Sequence, residues 1–127
     1  MGRSWLVGLA AVLAAAPAAA APALTGWSHL FSGDGFEAYA KPAEPTFDGY
    51  QQVWIRIEDD PAKVESFHSG VVRMLVDCDG KRIRRLEGTA FALPNLQGTA
   101  TPADPEEDWQ GAAPSALSGR LVERVCS

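Results

Sequence analysis

Histidine and cysteine are scarce in this chain, with two of each among 127 residues. That scarcity leaves little material for a metal centre or an acid–base dyad. No G-x-S-x-G, H-E-x-x-H, C-x-x-C or phosphate-loop pattern occurs, so the common hydrolase, metalloprotease, thiol-redox and nucleotide-binding signatures are missing. Positive charge is also in deficit, with 11 Lys and Arg against 16 Asp and Glu and a net charge of −5. Nothing global therefore favours nucleic acid or anionic lipid as a partner. No apolar run reaches the ~20 residues that span hydrocarbon. The longest, Trp5 to Ala16, is short and dominated by alanine.

What that run does offer is the order of a secretory signal. Arg3 supplies the charge, Trp5 to Ala16 the apolar segment, and Ala18 to Ala20 the small residues that signal peptidase requires. The expected organisation is a signal peptide over 1–20 and one mature domain over 21–127. No Cys stands at the cleavage point, since the first cysteine is Cys78. Export without acylation, to the periplasm or the exterior, is the expectation, with no membrane span after cleavage. Loss of Arg3 takes the net charge to −6.

An oxidising compartment makes pairing of Cys78 with Cys126 the simplest reading of two cysteines with none left over. They lie 48 positions apart. Closing a loop of that size is worth about 4 kcal/mol in the chain-entropy model.

Strand patterns dominate the mature chain. Trp27 to Phe31 reads as a first strand, broken at Ser32-Gly33-Asp34-Gly35, and Phe36 to Ala40 alternates as a second. Gln51 to Glu58 is the clearest, with Val53, Ile55 and Ile57 on one face and Gln52, Trp54, Arg56 and Glu58 on the other. Trp54 on the polar face either covers the sheet's second side, or lies under a helix, or forms a binding platform. Gly70 to Phe91 reads as a long hairpin turning at Asp79-Gly80 in a type I′ turn, with Val76 opposite Ile83. Ile83 and Leu86 break the alternation, which places a bulge near Arg84-Arg85.

Leu96 to Thr101 and Trp109-Gln110 are further short strands on either side of an acidic loop, and Pro114 to Val125 reads as a helix. Leu117, Leu121, Val122 and Val125 form its apolar stripe, and Gly119 weakens it by roughly 1 kcal/mol relative to Ala. The fold class that follows is α+β: an antiparallel sheet of about six strands, with the C-terminal helix packed on one face and tied there by the disulfide.

With these marks in place, the chain resembles the surface-adhesin protein E family of small exported bacterial proteins. The resemblance is carried by Trp27, Phe36 and Tyr39, Trp54, Asp77-Cys78 before Lys81-Arg82-Ile83-Arg84, Phe91, Trp109, Pro114-Ser115 and Val125-Cys126. It implies an antiparallel sheet with a C-terminal helix bonded to a strand, dimerisation, and binding of host matrix or serum proteins such as vitronectin and laminin. The adhesin is a surface lipoprotein, and this chain lacks the lipidation Cys.

The candidate binding surface comprises Tyr39, Trp54, Arg82, Arg84 and Arg85, the arginines joining Lys81 and Arg73 in the only concentrated positive patch. A solvated hairpin face balanced by Asp77, Asp79 and Glu87 is the plainer reading of that patch. No cofactor or metal is called for. The expected activity is non-enzymatic protein binding, to host proteins or to an envelope protein, with a homodimer as one expected state. Alternatives are inhibition of a secreted enzyme by strand or loop insertion, and a small hydrolase using His29 and His68.

Overall fold

The computed structural model describes residues 24–62 and 66–127. The proposed leader, 1–20, lies outside them. Eight strands and one helix follow in order: β1 (Ser28–Gly33), β2 (Phe36–Ala40), β3 (Glu44–Pro45), β4 (Gln51–Asp59), β5 (Ser69–Asp77), β6 (Arg82–Leu93), β7 (Gln97–Ala103), β8 (Gln110–Gly111) and α1 (Leu117–Cys126). All strand pairs are antiparallel and make one sheet ordered β1-β2-β4-β5-β6-β7, with β3 added to β4 and β8 to β6. The α+β expectation is met. The backbone of the sheet is the six-strand path.

Alternation decides the faces. Val53 and Ile55 are buried on the face that carries Ala38, Ala40, Met74 and Val76, and α1 lays Leu121 and Val122 on them. β-branched residues suit this half-buried pleated surface, which is why β4 was the most legible strand. α1 touches β1, β5 and β6. Cys126 at its end is bonded to Cys78 just past β5, with Cα atoms 5.5 Å apart, in the ordinary range for a disulfide.

Two Asp-Gly dipeptides exchange the roles expected of them. Asp34-Gly35 makes the two-residue connection, with Gly33 paired to Phe36 and Gly35 at φ 80°. Asp79-Gly80 does not form a type I′ turn, since neither residue has positive φ; Lys81 takes the left-handed position instead, at φ 51°. The cause is Asp77. Its carboxylate accepts the Gly80 N–H at 3.1 Å and the Arg82 Nε–H at 2.7 Å, which draws residues 78–81 into a four-residue loop. The register beyond the loop is as expected, Val76 opposite Ile83. The bulge falls at Leu86, because Met74 pairs with Arg85 and Arg73 with Glu87.

The helix starts at Leu117, three residues later than expected, with Pro114-Ser115 in the turn before it. Ala116 N–H closes that turn onto Ala113 O at 3.0 Å, and Ser118 Oγ accepts the Ala113 N–H, also at 3.0 Å. This fold-back explains Gly119. A Cβ there would run into the carbonyl oxygen of Ala113 and reach within 2.7 Å of the Pro114 Cα. Gly119→Ala is therefore expected to destabilise by about 1–3 kcal/mol despite alanine's higher helix propensity. Urea denaturation of the variant checks it; a stabilised variant would show that the turn yields freely.

Candidate functional site

The sheet's second face carries no helix, and cross-strand pairing assembles it residue by residue. Tyr39 pairs with Arg56, Trp54 with Arg73, Gln52 with Leu75, Leu75 with Arg84, and Asp77 with Arg82. Paired residues share a face, so Tyr39 and Trp54 are diagonal neighbours across β2 and β4. Trp54 is half-buried on this face and is not under α1. Arg73 ties the middle together, donating from Nη1 to Gln52 Oε1 at 2.9 Å and from Nη2 to Glu87 Oε2 at 3.1 Å.

At the hairpin end of the face, Trp109 is the centre of a second cluster. Its ring lies 5.0 Å from that of Tyr50, and the guanidinium carbons of Arg82 and Arg84 stand 4.7 and 5.4 Å from its centroid. Weakly hydrated guanidinium groups favour such stacking over aromatic faces. Arg82 is also bound to Asp77, whereas Arg84 Nε is buried without a hydrogen-bond partner. Tyr39, Trp54 and Arg84 thus lie on one face with the Tyr50–Trp109 pair at its hairpin end, and Leu75 is buried between them.

The opposite end of the face is closed by a buried charge cluster. Arg56 is 4% exposed and donates from Nε to Glu58 Oε2 at 2.7 Å and from Nη2 to Asn95 Oδ1 at 3.3 Å. Asn95 N–H returns to Glu58 Oε1 at 3.0 Å. Asn95 and Leu96, at φ 65° and 60°, fold the β6–β7 turn over Arg56. Neither Arg56 nor Asn95 was singled out from the sequence, because alternation assigns a face without revealing what folds back over it.

Arg85 is placed apart from the other candidates. It sits at the bulge opposite the core residue Met74, and its Nε donates to Asp104 O at 3.0 Å. The positive patch thus divides: Arg82 and Arg84 join Trp109, Arg73 binds Gln52 and Glu87, and Arg85 anchors the acidic loop. The two histidines are not brought together either. His29 lies on β1 against Ser32 and Glu37, at 3.1 and 3.2 Å, whereas His68 precedes β5 and bonds through its backbone to Asp59 and Phe91. Among the described residues, no group of three His, Cys, Asp or Glu is arranged to hold a metal.

Arg82 beside Asp77, with help from the Gly80 N–H, holds the Asp77 carboxyl below its ordinary value. A carboxyl lowered in the folded state adds stability above its unfolded pKa of about 3.9, and that stability is lost as pH falls through the lower folded value. Asp77→Asn should therefore show its stability deficit relative to the native chain fully at neutral pH and lose it as pH falls below the ordinary carboxyl range. Parallel denaturation curves across that range check the sign.

A family model described as surface-adhesin protein E matches residues 27–127. The chain belongs to the surface-adhesin protein E family. The matched span starts at Trp27 and takes in both cysteines, Trp54, Trp109 and all eight strands. The searches of curated proteins and of solved structures gave no match. Membership in the protein E family implies an exported surface protein, and the Cys78–Cys126 disulfide fits an extracellular location. Among the described residues, no helix is long and apolar enough to cross a membrane.

Proposed function

We propose that the chain is an exported, non-enzymatic binding protein, cleaved after a leader over 1–20, whose mature domain 21–127 holds a protein partner on the helix-free face of its sheet. The observation that carries this reading is the aromatic and arginine strip from Tyr39 and Trp54 to Arg84, Arg82 and Trp109. Trp, Tyr and Arg are the residues that most often dominate binding energy at protein interfaces. In this fold they share one face, while α1 occupies the other. Host matrix or serum proteins are the partners that protein E membership suggests. An envelope protein is the alternative partner. A homodimer belongs to the same proposal, and sedimentation of the mature domain gives its mass.

The test is capture of matrix, serum and envelope proteins on the immobilised, disulfide-bonded domain, followed by titration of the captured partner. Trp54→Ala is expected to weaken binding about 30-fold, the effect of removing a central aromatic anchor. Capture of nothing from any source, or binding that ignores Trp54→Ala and Trp109→Ala alike, would overturn the assignment.

A further inference from the structure

The two edges of the sheet are treated differently. β1 is guarded: its pairing is bulged between His29 and Phe31, α1 packs against it, and Arg124 Nη2 donates to His29 O at 2.7 Å. Such devices prevent a strand edge from pairing with another chain. β7 shares the bulge, with a register shift against β6 between Phe91 and Leu93, but it lacks the packed helix and the arginine cap. Its residues Gln97 to Pro102 are exposed, carry no charge, and include no side chain larger than glutamine. Pro102 adds a second element of protection, removing a donor from the edge. Among the described residues, no strand pairs with the outer side of β7.

Chemistry at the two ends of β7 is unequal. Beyond Ala103, loop 104–109 continues along the same side of β6 toward β8, held by Glu106 N–H to Arg85 O at 2.9 Å and Arg85 N–H to Glu106 Oε1 at 2.8 Å. Asp104, Glu107 and Asp108 are exposed on it, and none makes an ion pair with a described residue. At the other end Leu93, opposite Gln97, is 52% exposed. An acidic overhang and an apolar foothold thus flank an open row of backbone donors and acceptors.

We propose that the outer edge of β7 accepts an extended segment of a partner protein as an added antiparallel strand, with basic residues at the segment's N-terminal end over loop 104–109 and an apolar residue at its other end against Leu93. Strand addition takes its affinity from main-chain hydrogen bonds and its selectivity from the flanking side chains. This edge is separate from the aromatic face, so its failure leaves the proposed function standing.

The probe is a short peptide of lysines followed by alternating valine and threonine and a final leucine, mixed with the disulfide-bonded domain. Exchange of the β7 amides that point away from β6 should slow on adding it. Backbone N-methylation at alternate residues should abolish binding by more than tenfold in one phase and spare it in the other, because alternate residues face the sheet edge. Asp104→Lys with Glu107→Lys and Asp108→Lys should weaken binding about tenfold and flatten its salt dependence. Absence of binding, equal binding by both N-methylated phases, or protection appearing on β1 overturns the proposal. Protection without peptide of the β7 amides that point away from β6 would overturn it in favour of pairing between copies of this chain.

Discussion

Reduction of the Cys78–Cys126 bond is expected to release α1 before the sheet melts. The bond closes a 48-residue separation, which in the chain-entropy model is worth about 4 kcal/mol, a large fraction of the ~5–15 kcal/mol typical of a domain. α1 is ten residues long, lacks a side-chain N-cap and has no acidic residue in its first turn. A helix of that length is marginal in water without tertiary support. Apart from the bond, it is held by Leu121 and Val122 on the core, by Arg124 on His29 O, and by the Ala112 N–H to Lys81 O bond that precedes it. Reductant, or Cys78→Ser with Cys126→Ser, should therefore open residues 112–127 to protease and dissolve the near-UV signal. Amides of β4 and β5 should stay protected. A C-terminal segment equally resistant with and without the bond would show that packing alone secures the helix.

Arg56→Met should be among the most destabilising single substitutions on the helix-free face, by about 3–5 kcal/mol. The side chains of Arg56 and Glu58 are 5% and 11% exposed, and the pair is locked to Asn95. Removing one member of a buried pair leaves the other charged and poorly solvated, which is worse than removing both. Arg56→Met combined with Glu58→Leu should accordingly recover much of the loss. Urea denaturation of the two single variants and the double variant closes the cycle. A single variant within 1 kcal/mol of the native chain would mean that water reaches Glu58 freely. The substitution also probes the surface, because Arg56 lies directly beside Tyr39.

The parts of the fold that were legible in the sequence are those governed by local periodicity. β4 announced itself through Val53, Ile55 and Ile57, and the Val76–Ile83 register followed from counting outward from the hairpin end. Turn chemistry was less transparent, since both Asp-Gly dipeptides suit a two-residue loop and only the side-chain contacts of Asp77 to Gly80 and Arg82 distinguish them. Gly119 looked like a weakness of the helix and is a steric requirement, because residues 113–114 fold back onto it. Arg85 reads as one of a basic cluster, yet it follows Arg84 on a regular stretch of β6, so alternation turns it to the other face, opposite Met74.

The site was legible in part for the same reason. Tyr39 and Trp54 lie on regular strands, so their common face could be read from alternation. Trp109 follows an irregular acidic loop, and no local signal ties it to Tyr50 or to Arg82 and Arg84. A pair of aromatics brought together across 59 positions is a product of topology, and only the assembled sheet reveals it.

The proposed role requires a protein that leaves the cytoplasm and presents its sheet to a partner outside it. Fractionation of the producing cell combined with protease treatment of intact cells tests that most directly. The prediction is a mature chain beginning near Ala21, oxidised at Cys78 and Cys126, in the envelope or medium and cut by external protease where it is displayed. A full-length chain with both thiols free and confined to the cytoplasm would contradict it.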